Sequence, residues 1–139
     1  MRQIVTGVDG SGQSCVVEEF TNGPTGAAVN ARTIFRTASS PAPTRPLGHG
    51  RDIDLKVPVG IARWSMVQWP PGSTSAMHHT DTVDFDAVLE GRIDLILDDG
   101  AHRLELGDCA VVTGVDHGWE AGPSGCTLAV LLVGTPAPE

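Results

Sequence analysis

The chain has 139 residues, 40% hydrophobic and 19% charged, which fits one globular domain with a single core and argues against a second domain. Nine basic residues against seventeen acidic ones give a formal charge of -8, a field that repels a phosphate backbone and sets nucleic acid aside as a partner. No apolar run approaches the roughly 20 residues that span a bilayer, and the start Met1-Arg2-Gln3-Ile4-Val5-Thr6-Gly7 lacks the apolar stretch of a signal peptide, so a cytoplasmic protein without a membrane partner is expected.

Frequent glycine and proline divide the chain into short β-branched segments, too brief for helices, and the pattern is all-β. In chain order it predicts strands over 4–6, 15–20, 33–35, 61–69, 73–79, 85–90, 92–97, 103–106, 109–112, 118–120 and 126–133. Asp9-Gly10-Ser11-Gly12 and Asp98-Asp99-Gly100 supply the positive-φ positions of tight hairpins. Between them lies a stretch, 37–51, in which Pro41, Pro43, Pro46, Gly48 and Gly50 forbid a regular ladder; it reads as a long loop placed to cover a pocket mouth or a neighbouring subunit. The expected organisation is one domain: an N-terminal β arm and loop over 1–50, a barrel over 51–134 and a short tail over 135–139. Cys15, Cys109 and Cys126 are far apart, form no C-x2-C pair and read as small buried hydrophobes.

Two spaced constellations stand out: Gly72-x5-His78-x-Thr80-x3-Asp84-x6-Gly91, then Gly107-x6-Gly114-x2-His117. They resemble the two motifs of the cupin family, and the short segment between them is like that of small bacterial cupins. The resemblance implies a double-stranded β-helix, or jelly-roll barrel. It departs from the family pattern at Thr80, where a second histidine is usual, at Asp84, where glutamate is usual, and at Thr113 and Ala121 in the second motif.

Residues two apart on a strand share a face, so His78 and Thr80 point one way and His79 the other; Asp84, Asp86 and Val88 share a face, as do His117 and Trp119. If those faces turn inward, His78, Asp84 and His117 form a 2-His-1-carboxylate set for a divalent metal such as iron, zinc, nickel or manganese; the degenerate motif also admits a metal-free pocket. A bulge at His78-His79 would turn His79 inward as a replacement ligand. Asp86, a second carboxyl beside Asp84, suits a general acid/base, as does His79. Thr80, Val88 and Trp119 are the expected pocket wall, and Trp64 and Trp69, of opposite parity, cannot both face it. His49 and His102 read as structural or solvent-facing.

The leading expectation is an enzyme for a small carbonyl- or carboxylate-bearing metabolite, performing metal-assisted non-redox chemistry: dehydration, decarboxylation, isomerisation or cyclisation. An Fe(II) dioxygenase and a non-catalytic ligand-binding module are the alternatives. By resemblance, a homodimer paired through the N-terminal strands is expected, which would close open sheet edges.

Overall fold

The computed structural model describes residues 1–21, 26 and 28–139. Among them nine strands form one sheet: β1 (Arg2–Val8), β2 (Ser14–Thr21), β3 (Arg51–Asp52), β4 (Ala62–Trp69), β5 (Thr74–His79), β6 (Thr82–Leu97), β7 (Gly100–Glu105), β8 (Cys109–Val112) and β9 (His117–Gly134). The main path runs β2-β1-β8-β6-β9-β5-β3, with β4 also on β9 and β7 also on β6. The sheet curls on itself as a half-barrel of the cupin type. Among the described residues no helix is long and apolar enough to cross a membrane.

Two long strands build the barrel. Four predicted strands are in fact two, because 85–90 and 92–97 are parts of β6, and 118–120 and 126–133 are parts of β9. The glycine read as a break is a bulge: the β6/β9 register shifts on both sides of Gly91, which sits at φ 69°. The extra residue switches the inward parity from Asp84, Asp86 and Val88 to Ile93, Leu95 and Leu97, all buried. One strand thus supplies a polar wall at one end and a packed core at the other. Ile93, Leu95, Leu104, Val112 and Leu128 are almost wholly buried in that core.

The predicted arm is partly integrated into the barrel, since β1 pairs in parallel with β8 through Ile4 and Ala110, and Ile4 has no exposed surface. The hairpin at Asp98-Asp99-Gly100 forms, with Gly100 at φ 125°. Its tip docks on β2, where Ser14 N–H donates to Asp98 Oδ2 at 2.7 Å and Val16 N–H to Asp99 Oδ2 at 3.0 Å. The predicted strand at 33–35 is absent: Ile34 and Phe35 lie irregularly on the outside of the sheet, packing their side chains against Val5, Val83 and Val111 without joining a ladder. The short β3, which pairs in parallel with β5 through Arg51 and Asp52, has too little apolar alternation to be read from sequence.

The long loop is pinned rather than draped across the mouth. Arg45, largely buried, pairs with Asp81 at 2.6 Å, and the backbone N–H groups of His49 and Gly50 donate to the Asp116 carboxylate at 2.6 and 3.0 Å. Covering the mouth falls to the next segment, where Ile53 and Leu55 line the pocket.

Candidate functional site

A cavity of about 330 Å³ opens on the inner face of the sheet, near the lower end of the small-molecule range. Its walls are mostly apolar: Val67 and Trp69 from β4, Trp119, Leu128, Val130 and Leu132 from β9, with Ile53 and Leu55 above. The polar groups are few and convergent: Ser75 and His78 from β5, Thr80 just after it, Asp84 and Asp86 from β6, His117 from β9, and Arg63 and Ser65 from β4.

A bulge on β5 sets this arrangement. Ser75 pairs with Trp119 and His78 with His117, so three steps on β5 answer two on β9. The extra residue lies before His78, which keeps Ser75, His78 and Thr80 on the pocket side. The expected inward turn of His79 does not occur. His79 points to the opposite face, is absent from the pocket lining and contacts the Asp116 carboxylate through Nδ1 at 2.8 Å. Val88, expected in the wall, is also absent from the pocket lining: it is buried to 1% exposure in the core next to the bulge. The tryptophan parity is as read, with Trp69 on the pocket and Trp64 exposed to solvent.

The two imidazoles lie side by side across the β5–β9 pair, ring centroids 4.3 Å apart, and His117 meets Trp119 edge-on at 5.9 Å. His78 Nδ1–H donates to Ala76 O at 2.9 Å and His117 Nδ1–H to Val115 O at 2.8 Å. Each bond selects the tautomer that leaves the Nε2 lone pair available. His117 is buried, which pushes it down to about 4, so it is neutral near pH 7.

The carboxyl pair Asp84 and Asp86 lines the same cavity. Burial pushes Asp84 up to about 7, against the opposing hydrogen bond from Thr82 and the field of Arg63. Burial, with the Asp84 charge beside it, pushes Asp86 well above the usual carboxylate range. Thr82 Oγ1 donates to Asp84 Oδ1 at 2.5 Å and lies 2.8 Å from Thr80 Oγ1, so Thr80 completes a hydroxyl chain ending on Asp84. Asp86 Oδ2 is buried without a hydrogen-bond partner, as is the Trp69 indole N–H. Sequence parity located Asp86 correctly but could not reveal its burial. Arg63, Ser65 and Ser75 were missed because nothing local distinguishes an inward arginine or serine on an amphipathic strand.

The donor set only partly suits a metal. Two Nε2 lone pairs with carbonyl-anchored Nδ1–H groups are the usual second-sphere arrangement of metal-binding histidines. The third donor does not join them: the Asp84 carboxyl is engaged by the Thr82 hydroxyl, and no group of three His, Cys, Asp or Glu among the described residues is placed to hold an ion. As placed, His78, Asp84 and His117 do not build the expected three-donor centre.

Behind the pocket, Asp116 is a structural hub. It accepts from His49 N–H, Gly50 N–H and His79 Nδ1–H, and its neighbour His117 faces the cavity. Asp116→Ala would leave three donors unpaired, at a cost of roughly 2 to 4 kcal/mol. The expected result is a lowered melting temperature together with faster hydrogen exchange at His49 and Gly50; unchanged exchange there would show that Asp116 does not hold the loop.

The curled sheet with an inward pocket places the protein in the cupin-type fold class. No family model matches the chain. It is 50% identical over 50 residues to phomopsin biosynthesis cluster protein D of Diaporthe leptostromiformis, covering 35% of this chain and 26% of that protein. It is 32% identical over 108 residues to oryzines biosynthesis cluster protein J of Aspergillus oryzae, covering 68% and 58%, and 33% identical over 84 residues to a cupin-domain-containing oxidoreductase of Hypocrea virens, covering 53% and 43%. A sugar phosphate isomerase structure of the cupin superfamily from Silicibacter pomeroyi aligns with a TM-score of 0.48 at 27% identity, over 56% of this chain and 54% of that one. The chain spans between 26% and 58% of the length of these sequence relatives. They are fungal, whereas the motif spacing resembles that of small bacterial cupins.

Proposed function

We propose that this protein is a cupin enzyme that moves protons on a small, largely apolar metabolite carrying a carbonyl or carboxylate group, in an isomerisation, dehydration, decarboxylation or cyclisation. The observation that carries the reading is the buried Asp84/Asp86 pair lining one cavity with the side-by-side imidazoles of His78 and His117. Burial raises both carboxyls, and the Asp84 charge raises Asp86 as well, which assigns Asp84 the role of base and Asp86 that of acid. His117, neutral near pH 7, offers Nε2 as an acceptor for a substrate hydroxyl, with His78 beside it, and the apolar wall limits water around the transfer. Likeness to proteins of two biosynthesis clusters supports a role in building a secondary metabolite.

The likeness to cupin-domain-containing oxidoreductases favours a second reading, oxidation of a similar substrate. One experiment separates the two: incubation with a panel of small keto acids and enolisable ketones in deuterated water, followed by NMR and an oxygen electrode. Deuterium entering a carbon next to the carbonyl, and lost in Asp84→Asn, is expected. Oxygen uptake without such exchange would replace this reading with the oxidoreductase, and ligand binding without either would leave a binding module.

A further inference from the structure

The inward residues of β4, β9 and β6 stand in register, and their chemistry changes along the strands. Arg63 shares a row with Asp84, and Ser65 shares the next row with Asp86, with β9 lying between in each case. The row after these holds only Val67, Leu128 and Val88, and Trp69 stands beyond it. The cavity therefore has a polar end and an apolar end.

Arg63 is the only arginine or lysine among the described residues that line the cavity, and it is exposed at the mouth. Its guanidinium is a fixed cation, in a chain where acidic residues outnumber basic ones seventeen to nine. Nη1–H donates to Leu55 O at 2.8 Å, which ties the covering segment to β4. The Nε and Nη2 edge has no partner among the described residues, and that edge is one that takes both oxygens of a carboxylate. At the backbone Arg63 and Asp84 are about 10 Å apart, two strand spacings. They form no ion pair with each other, so a ligand group has a place between them.

We propose that Arg63 anchors the carboxylate of the substrate, and that the substrate class is a short-chain keto acid with its carbonyl close to the carboxylate and an apolar tail. An anion placed elsewhere in the cavity would face Asp84 and Asp86 with no cation to offset it. With the carboxylate at Arg63, the neighbouring carbons lie beside Asp84, where a base is needed, and the tail runs along β9 toward Leu128 and Trp69. This choice of substrate class rests on the proton-transfer reading of the same cavity, whereas the anchoring contact is a binding contact and is measured separately.

The test follows binding through tryptophan fluorescence, since Trp69 and Trp119 line the cavity. The probes are hexanoate, α-ketohexanoate and the methyl ester of each. The proteins are the unaltered chain, Arg63→Gln and, as a cation of the same sheet outside the cavity lining, Arg92→Gln, each checked for native circular dichroism. The unaltered chain and Arg92→Gln are expected to prefer each acid over its ester by about 10-fold or more. Arg63→Gln should lose that preference while binding the esters as before. Equal binding of acid and ester by the unaltered chain, or no binding of either acid, would overturn the proposal. So would a preference that survives in Arg63→Gln or that disappears equally in Arg92→Gln. The same samples in deuterated water read the proton transfer independently. An Arg63-dependent preference without enzyme-dependent deuterium uptake by α-ketohexanoate would uphold the anchor and count against the proton-transfer reading alone; uptake without any preference for the acids would overturn the anchor and leave that reading standing.

Discussion

Asp86→Asn is expected to reduce turnover by at least about 100-fold, the usual contribution of a positioned acid or base, while leaving the fold intact. The pH dependence should change in a specified way. In the unaltered protein the rate rises as Asp84 ionises near pH 7 and falls once Asp86, held well above the usual carboxylate range, gives up its proton. The asparagine variant should keep the limb near 7 and lose the upper one, because an amide has no proton to release. Stability should change as well. A carboxyl whose folded pKa is raised contributes stability that is complete below its unfolded value and lost as pH rises through the folded one. His117, pushed down to about 4, does the reverse and loses its contribution as pH falls from about 6.5 toward 4. Over that interval Asp84 and His117 oppose each other, which leaves Asp86 to tilt the profile. Melting temperatures of the unaltered protein should therefore fall from mildly acid to alkaline pH, and those of Asp86→Asn should fall less. Parallel slopes in the two proteins would contradict the burial of an acid at position 86.

Gly91→Ala should be the most destabilising single substitution of a surface-exposed residue. Gly91 combines φ 69°, a region costly for any residue with a side chain, with direct contact between an added methyl and the Gly125 backbone carbonyl on β9. Neither strand can give way without breaking the β6/β9 ladder, so a loss of roughly 3 kcal/mol or more and a fall of about 10 °C or more in melting temperature are expected. Gly10→Ala, with open space around it, is the matched control and should melt within a degree or two of the parent. Equal melting of the two variants would mean that the bulge is not required.

The fold class was legible because it depends on properties a single strand displays: alternation, turn chemistry at Asp98-Asp99-Gly100, and glycine and histidine spacing. Asp84, Asp86, Thr80, His78, His117 and Trp119 do share one cavity, as strand parity requires. Less legible was anything set by an inserted residue. The β5 bulge lies upstream of His78 rather than at it, so His79 turns to Asp116, and the Gly91 bulge joins two apparent strands into one and leaves Val88 in the core. The missing third donor was also beyond sequence. Residue types record which groups can bind a metal, whereas burial and the Thr82 hydroxyl decide the state in which Asp84 is kept.

The length of β6 and β9 has a consequence for how the chain reaches this state. The first half of β6 has its β9 partner only after residues 126–134 exist, and β1 must wait for β8, so apart from the β1–β2 and β6–β7 hairpins the ladders join distant parts of the sequence. Such topologies fold slowly, because loop closure precedes reward. During synthesis the emerging β6, apolar on the face that carries Val83 and Phe85 and carrying Asp84 and Asp86 on the other, has no complete surface to lie against. Those two carboxyls, charged while still in water and costly only once enclosed, would then act as solubilising groups on a strand otherwise prone to stick, so that the same pair that equips the finished pocket also protects the unfinished chain.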